Sequence, residues 1–474
     1  MSNLDKKEKT SPKLAFGYGM GEVANQISWY MINTYLTIFY TDAVGLSASA
    51  ISMIMLIARV WDAVNDPIMG NIADKTNTRW GKFRPYLFFA PPFLAIFNIL
   101  TFTVWPVTGV AKVVLCLVTY IGTGMVYTVI VTAHAAIVNV IAIDSQVRMN
   151  LSTARGLGSA IISIVLSAVV MPMILFFGKS DVANAKGYFW AAVVLSIVMI
   201  PGFIIEALIC KETYTKELHS EVTEVAQPKR GFIGNLKELC KNDQLLSIVV
   251  MTFFGAICVT ARMSLMAYYV IYVVGSYTAV ALVFTVMTIA QLVGTALIPF
   301  MTKKIGKRKY MYLLTFIMIG SFICIYLFVG NNIPMLLVFS FLCGLCNSSG
   351  ALSYGFVSDS IEYGAWKVGT RQEGLAASFL SLAVKASTAL CGVLGVQMLA
   401  AVGYVANAQQ SASTVNGINF VVNIIPAICG IISLIPLFYY RLTEDKVALI
   451  REDLEAGKTA ATSELPFAKS WKTK

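Results

Sequence analysis

The chain has 474 residues, of which 57% are hydrophobic and 13% are charged, and its mean hydropathy is +0.72. These proportions exclude an ordinary soluble globular protein and indicate a protein that crosses a membrane many times. The net charge of +11 does not indicate nucleic-acid binding, because the basic residues stand in short runs between apolar segments.

Twelve apolar segments are each long enough to cross a membrane, which takes about 20 residues. We therefore predict an all-α membrane protein with twelve transmembrane helices in two six-helix bundles, 15–209 and 245–440. A polar linker, 210–244, separates the bundles, and the tails 1–14 and 441–474 flank them. The expected spans are 15–40, 47–70, 84–105, 110–142, 152–177, 187–209, 245–273, 277–301, 309–329, 334–357, 375–402 and 418–440.

Lysine and arginine are unevenly divided between the loops. Most of them follow even-numbered spans, as in ADKTNTRWGKFRPY after span two and TKKIGKRKYMY after span eight. By the positive-inside rule, both termini should then be cytoplasmic. Both loops contain Gly-Lys followed by Arg or Lys, which indicates either an internal repeat or convergent use of basic residues at a cytoplasmic turn. Transporters with two repeated six-helix halves place their solute site near the membrane midplane.

The second span, IMLIARVWDAVNDPIMG, carries charges at a depth where each costs roughly 2.5 to 3.5 kcal/mol. Arg59, Asp62 and Asp66 fall at i, i+3 and i+7, and with Asn65 they share one helix face. Pro67 removes a backbone donor and leaves a carbonyl one turn earlier without its usual partner. Several oxygens on one face favour a bound cation, unless Arg59 only neutralises Asp62 in a helix-packing ion pair.

Other spans also carry polar residues. Span one places Glu22, Asn25 and Gln26 on one face, which can line a polar cavity. In span four, His134 is either a proton or ligand site or a hydrogen-bonded helix contact. Arg155, at the start of span five, either lines the cavity or anchors the helix at the cytoplasmic surface.

Two further cations lie deeper in the second half of the chain. Arg262 belongs to span seven and Lys385 to span eleven. They either reach a cavity or pair with an interior carboxylate such as Glu22 or Glu206, and we expect at least one to reach the cavity. The spacing of Cys343 and Cys346 comes closest to a metal site, but no second pair or histidine accompanies them, so we expect no metal or disulfide there.

Six stretches together carry a resemblance to a known family. They are AFGYGMGEVAN and FYTDAVGLS at the two ends of span one, RVWDAVNDPIMG, TRWGKFRPY, EYGAWKVGTRQEG and LAVKA. On these motifs the chain resembles, over nearly its whole length, the glycoside-pentoside-hexuronide:cation symporters, the melibiose-permease branch of the major facilitator superfamily. The resemblance implies the major facilitator fold and cation-coupled transport.

The resemblance also implies roles for the matched positions. Four of them match the family's cation site, which takes sodium or a proton: Asp62, Asn65, Asp66 and Thr128. Arg155 and Lys385 match positions that line the sugar cavity. Asp359, Glu362 and Arg371 fall in the motif of the loop after span ten, which resembles a cytoplasmic gate or ion-pair lock.

The chain departs from the melibiose-type pattern at four positions. Where those members have a lysine and an acidic residue in span one, this chain has Asn25 and Gln26, and their aspartate and tryptophan of span four are Val131 and Ala135 here. The candidate solute-binding residues are Asn25, Gln26, His134, Arg155, Arg262 and Lys385. Fewer carboxylates beside several cations favour an anionic solute, so we expect a glucuronide or other hexuronide first and a neutral pentoside next.

We therefore expect a secondary active transporter of the cell inner membrane that imports a glycoside, pentoside or hexuronide with Na⁺ or H⁺ by alternating access. A proton-coupled antiporter or a lipid-type transporter on the same fold is the alternative. An enzyme is not expected, because the chain has no HExxH motif, no GxSxG motif beside a suitable base and no Cys–His pair that fits a catalytic site. Beyond the coupling cation, a sugar or sugar acid and membrane lipid, we expect no cofactor, no nucleic acid and a monomer.

Overall fold

The computed structural model describes residues 11–76, 78–142, 145–212, 242–368, 373–460 and 462–467. Apart from an isolated bridge between Thr78 and Gly81, the regular secondary structure of these residues is helical. The all-α class expected from the hydropathy pattern is confirmed.

The helices follow one another with short connections. The first half of the chain holds α1 (Pro12–Ile38), α2 (Ala48–Lys75), α3 (Arg84–Thr101), α4 (Val110–Ile141), α5 (Ser145–Gly178) and α6 (Ala185–Ile209). The second half holds α7 (Asp243–Tyr268), α8 (Tyr277–Ile305), α9 (Lys307–Cys324), α10 (Ile333–Asn347), α11 (Ser349–Val368), α12 (Glu373–Ala401), α13 (Ala412–Asn419), α14 (Ile425–Tyr439) and α15 (Glu444–Glu455). Short π-helical turns at Phe39–Ala43, Tyr269–Val274 and Ile325–Val329 extend α1, α7 and α9, and Phe420–Ile424 joins α13 to α14.

Each of the expected spans overlaps one helix or one nearly continuous helical stretch, although α5 begins seven residues earlier than expected, at Ser145, and the tenth stretch ends at Val368 rather than at 357. The tenth consists of α10 and α11, which meet at Ser348, and the twelfth consists of α13 and α14 with the turn between them. Within the described residues, ten stretches have the length and hydropathy of a membrane span. The two others are α1, which carries the polar face of Glu22, and α3, which has 18 residues and begins at Arg84.

The chain divides into two compact units. The first comprises Met1–Val225 with Ser276–Thr285 and Gly392–Gln410, and the second comprises Ala226–Gly275, Val286–Cys391 and Ser411–Lys474. Side chains of the N-terminal half bond to both short stretches: Ser167 Oγ donates to Thr285 Oγ1 at 3.3 Å, and Ser52 Oγ donates to the Val393 carbonyl at 2.7 Å.

In the first unit α1 packs mainly against α5 and α6, and small residues at both crossings let the backbones approach. A Cβ on Gly158 of α5 would lie 2.8 Å from the Gly19 carbonyl oxygen. A Cβ on Gly202 of α6 would lie 2.8 Å from the Cβ of Ala24. Larger side chains at these positions would separate the helices, so the glycines bring the polar side chains of α1, α5 and α6 within bonding distance.

The N-terminus of α3 is capped by a carboxylate that follows the last helix of the first half, α6. Glu212, which follows α6, accepts hydrogen bonds from the backbone N–H groups of Lys82, Phe83 and Arg84 at 2.8, 2.7 and 3.0 Å. These donors have no partner within the helix, and a negative charge there also suits the helix dipole. Gly81 has φ +112°, and a Cβ on it would lie 2.5 Å from the Glu212 carboxyl group.

The second unit has a corresponding cap. Glu444, which follows α14, accepts a hydrogen bond from the backbone N–H of Lys307 at 2.5 Å, at the start of α9. Gly306 has φ +84° and a Cβ on it would lie 3.1 Å from Glu444 Oε2. The Gly-Lys dipeptide thus has the same structural setting in both halves, which favours an internal repeat over convergent use of basic residues.

Candidate functional site

The oxygen-bearing face of α2 lies against α4. Thr128 Oγ1 donates to Asp66 Oδ1 at 3.2 Å. One turn earlier on both helices, Asp62 approaches Gly124 so closely that a Cβ there would lie 3.1 Å from Asp62 Oδ1. The four-residue spacing of Asp62 and Asp66 therefore matches that of Gly124 and Thr128, and the structure brings Thr128 to the face where the sequence predicted it.

Arg59 and Asn65 are the remaining polar residues of this face of α2. Arg59 Nη1 lies 3.5 Å from Asp62 Oδ2, and both side chains are 26% exposed, so the predicted ion pair is present but open to solvent. Asn65 is buried, and its Nδ2 has no hydrogen-bond partner among the described residues. The amide can therefore turn its oxygen toward a cation without breaking a bond made by its nitrogen. We call Asp62, Asn65, Asp66 and Thr128 the α2–α4 oxygen cluster; its oxygens are the ligands that hard cations prefer.

Glu22 of α1 is the centre of a second polar group. Its Oε2 accepts from Arg155 Nε at 2.6 Å and lies 3.1 Å from His134 Nε2. Its Oε1 accepts from Gln26 Nε2 at 3.0 Å and from Asn25 Nδ2 at 3.4 Å. One carboxylate thus binds side chains from α1, α4 and α5, and four of the residues predicted to bind solute are gathered around it.

His134 lies deeper than a solute ligand would. It is fully buried, and its Nδ1 lies 2.6 Å from Oε1 of Glu206 on α6. Its ring stacks on Tyr18 with 4.9 Å between the ring centres. The other carboxylate oxygen of Glu206 has no hydrogen-bond partner among the described residues and faces the backbone of Gly21. The predicted hydrogen-bonded helix contact of His134 is present, and its full burial separates it from direct contact with a solute. The predicted role in holding a proton stays a prediction. We call Glu22, His134, Arg155 and Glu206 the Glu22 network.

Arg155 is the exposed end of the Glu22 network. Its side chain is 40% exposed, whereas that of Glu22 is 4% exposed. Because α5 begins at Ser145, Arg155 lies about three turns inside the helix. Whether it lines the cavity or anchors the helix at the cytoplasmic surface stays a prediction. Gln26 Nε2 also donates to Ser159 Oγ at 2.8 Å, and Ser159 lies one turn after Arg155 on α5. Arg155 and Gln26 are therefore placed where a solute can reach the network.

The two deep cations of the second unit differ from each other. Arg262 is buried; its Nη1 donates to Asn423 Oδ1, and its guanidinium carbon lies 4.6 Å from the centre of the Phe322 ring. Its Nε and Nη2 have no hydrogen-bond partner in the part of the chain that the structure describes. Lys385, on α12, is exposed. Whether either contacts solute stays a prediction.

The predicted alternative, that an interior carboxylate such as Glu22 or Glu206 neutralises one of these deep cations, needs correction for Arg262. Both carboxylates bond within the first unit, to Arg155 and His134. Arg262 instead has a neutral amide partner, because Phe322 of α9 and Asn423 of the turn Phe420–Ile424 face it.

The predicted gate residues lie on α11 of the second unit. Asp359 Oδ2 is 2.5 Å from Lys307 Nζ at the start of α9, and Glu362 Oε2 is 2.5 Å from Arg451 Nε on α15. Arg371 lies outside the described residues. The two ion pairs tie α11 to its neighbours at one end of the unit, as an ion-pair lock would, but the gating role stays a prediction.

Glu206 was predicted as an interior carboxylate that could pair with Arg262 or Lys385, but its observed partner is His134. A glutamate within the apolar span of α6 was the available signal, since a buried carboxylate needs a partner. The identity of that partner depends on how α4 and α6 pack, which no local pattern reports. Tyr18 and Ser159, which contact His134 and Gln26, gave no signal that distinguished them from ordinary span residues.

The amino-acid sequence matches a known protein family and several of its relatives. Residues 17–444 match the family model described as MFS/sugar transport protein. The chain is 31% identical over 448 residues to the isoprimeverose transporter of Lactiplantibacillus pentosus, covering 91% of this chain and 88% of that protein. It is 28% identical over 464 residues to the glucuronide carrier protein homolog of Escherichia coli (strain K12), covering 95% and 97%.

The fold has counterparts among solved structures. The crystal structure of a D-xylose-proton symporter superposes with a TM-score of 0.63 at 12% identity, covering 89% of this chain and 96% of that one. This likeness concerns the fold alone. On the match of its sequence over residues 17–444, the chain belongs to the MFS/sugar transport protein family.

Proposed function

We propose that the protein is a cation-coupled symporter that imports a glycoside by alternating access. The observation that carries this proposal is the α2–α4 oxygen cluster, in which Asp66 and Thr128 are in contact beside Asp62 in a member of a sugar-transport family. Asp62 and Asp66 carry two negative charges and Arg59 offsets one of them, so the remaining negative charge is costly inside a membrane without a further cation. A bound Na⁺ or H⁺ lowers this cost, and the state that binds the cation then binds solute more tightly.

The solute that fits the first unit best is a neutral glycoside. The expectation of an anionic solute counted Arg155 among the available cations, but its guanidinium is paired with Glu22 at 2.6 Å. A neutral sugar can accept and donate hydrogen bonds there without adding net charge to a buried site. The relative named for isoprimeverose supports the same class.

A hexuronide is the second candidate. Arg262 has no acidic contact among the described residues, and a buried guanidinium of this kind is stabilised by an anion. The relative named for glucuronide supports this candidate. The two candidates differ by one negative charge, so a panel of solutes separates them.

The coupling is tested with purified protein in proteoliposomes. We expect an imposed sodium or proton gradient to drive uptake of isoprimeverose, and Asp62→Asn and Asp66→Asn each to abolish this gradient-driven uptake. Asp181→Asn, at an exposed loop, is the matched control and should retain it. If both cluster variants kept gradient-driven uptake at the level of the unaltered protein, the cation site would lie elsewhere.

The same vesicles identify the solute class. Uptake of isoprimeverose is compared with that of a phenyl glucuronide and a phenyl galactoside. Preference for the neutral glycosides is expected; preference for the glucuronide would contradict the neutral assignment and support the hexuronide.

We also infer that the protein is a monomer in the cell inner membrane with both termini cytoplasmic. The basic loops after even-numbered spans support this orientation. A fluorescent protein fused to the C-terminus should fold and fluoresce, and an alkaline phosphatase fused there should be inactive. The opposite pair of results would reverse the orientation.

A further inference from the structure

Three side chains of the Glu22 network are placed so that a histidine lies between two carboxylates. His134 Nδ1 is 2.6 Å from Glu206 Oε1, and His134 Nε2 is 3.1 Å from Glu22 Oε2. His134 and Glu206 are fully buried, and the Glu22 side chain is 4% exposed. The other titratable groups that face these three side chains are Tyr18 of α1, Tyr127 of α4, Arg155 of α5 and Cys210, which follows α6.

The two short contacts determine how many protons the group holds. A hydrogen bond needs one hydrogen between its two heavy atoms, and neither an ionised carboxylate nor the bare nitrogen of a neutral imidazole supplies one. A neutral histidine has one N–H, so it can serve Glu22 or Glu206 but not both. Two His–Glu bonds therefore need one proton more than a neutral histidine between two ionised glutamates. An imidazole is ordinarily more basic than a carboxylate, so we assign this proton to the His134 ring.

The charge balance leads to the same count. With the additional proton, Glu22, His134 and Glu206 sum to −1, and the guanidinium of Arg155, 2.6 Å from Glu22, brings the network to zero. Without it, three residues inside the bundle sum to −2 beside a single cation. An unbalanced charge buried among helices is strongly unfavourable, so the protonated arrangement is the stable one.

We propose that Glu22, His134 and Glu206 hold one buried proton, separate from the α2–α4 oxygen cluster, and act as the positioning group of Arg155. Glu22 Oε2 is shared, since it accepts from both Arg155 and His134. The proton on the His–Glu group therefore decides how strongly Glu22 retains the arginine. This proposal rests on the proposed function only where it treats Arg155 as a solute contact.

Sharing of this oxygen couples the proton to the solute. When the proton leaves, Glu22 loses the positive charge on His134 and holds Arg155 more tightly, which makes the arginine less available to solute. Conversely, a solute that draws the guanidinium away leaves His134 as the only cation on that oxygen, so the proton is held more firmly. By thermodynamic reciprocity, solute affinity falls as pH rises and the proton is lost.

The proton itself is tested without any solute. The chain has only two histidines, His134 and His219. In His219→Gln protein labelled with ¹⁵N-histidine, all imidazole signals come from His134. We expect both ring nitrogens to be protonated at pH 7. A neutral ring with one bare nitrogen at this pH would overturn the proposal, whatever the protein transports.

Glu206→Gln is the informative variant. A glutamine amide can donate to Nδ1 while Nε2–H donates to Glu22, so a neutral histidine satisfies both contacts and the charges of His134, Glu22 and Arg155 still sum to zero. We expect the His134 ring to become neutral at pH 7 in this variant. An imidazolium that persisted in Glu206→Gln would contradict the role assigned to Glu206.

The effect on solute is measured by calorimetric titration with isoprimeverose between pH 6 and pH 9. Affinity of the unaltered protein should fall at least tenfold across this range, and that of Glu206→Gln should change less than threefold. Equal pH dependence in the unaltered protein and Glu206→Gln would overturn the coupling, whereas loss of gradient-driven uptake in the unaltered protein would instead refute the proposed function.

Discussion

At the scale of single residues, the contact between Thr128 and Asp66 carries the cation assignment. The hydroxyl donates to the carboxylate at 3.2 Å, so in the absence of a cation it satisfies one of the acceptor sites of Asp66. When a cation binds, the same hydroxyl can rotate its hydrogen away and present a lone pair. Thr128 can therefore bond to Asp66 when no cation is bound and coordinate the cation when one is bound. An apolar residue of the same shape can do neither.

Thr128→Val should weaken cation binding while the protein stays folded. Valine keeps the volume of threonine but removes one oxygen, and a lost polar contact of this kind costs about 1–2 kcal/mol, or about tenfold in affinity. The measurement is the sodium or proton concentration that gives half-maximal uptake. Thr128→Ser is the matched control and should stay near the original value; equal behaviour of the two variants would exclude the hydroxyl as a ligand.

At the scale of elements, each half of the chain closes its bundle by tying its last helix to the start of its third. Glu212 binds three backbone N–H groups at the start of α3, and Glu444 binds one at the start of α9. Buried or half-buried helix termini need such acceptors, because their first N–H groups have no intrahelical partner. Gly81 and Gly306 are required at these turns, since both have positive φ and lie close to the capping carboxylate.

Glu212→Ala should lower the stability of the first unit by about 2 kcal/mol, since it removes the acceptor for three donors of α3. The expected readout is a lower midpoint of thermal unfolding in detergent. Glu455→Ala, at an exposed position near the end of α15, removes the same charge without a cap and is the control. Equal midpoints for the two variants would show that the Glu212 cap contributes nothing measurable.

At the scale of the whole molecule, symport requires that two ligands stabilise the same state. Binding free energies are reciprocal, so the factor by which the cation raises glycoside affinity must equal the factor by which the glycoside raises cation affinity. No single residue carries this property, because it belongs to the equilibrium between conformations of the protein.

We expect both factors to be equal in the purified protein and to fall to one in Asp66→Asn. Calorimetric titration of isoprimeverose at several cation concentrations gives the first factor, and titration of the cation at several isoprimeverose concentrations gives the second. A factor in Asp66→Asn that stayed at the value of the unaltered protein would show that Asp66 does not couple the cation to the glycoside.

Hydropathy and helical periodicity predicted much of the architecture from the sequence. The spans, the polar face of Asp62, Asn65 and Asp66 and the polar face of Glu22 all follow from residues within a few turns of one another. The break at Ser348 within span ten was not predicted, because no proline stands there and the short run Asn347–Gly350 is flanked by apolar residues on both sides. Local sequence is informative where the interacting residues lie on the same helix.

The sequence by itself determined the membrane class, the order of the helices and the residues that can form a cation site, because hydropathy and period are properties of neighbouring residues. Only the tertiary structure decided which charges are paired. Glu22 meets His134 across 112 positions of the chain and Arg155 across 133. Close packing at Gly158 and Gly202 brings α1, α5 and α6 together and so allows these contacts. The positive charge of Arg155, which the sequence left without an assigned partner, is thereby paired with the buried carboxylate of Glu22.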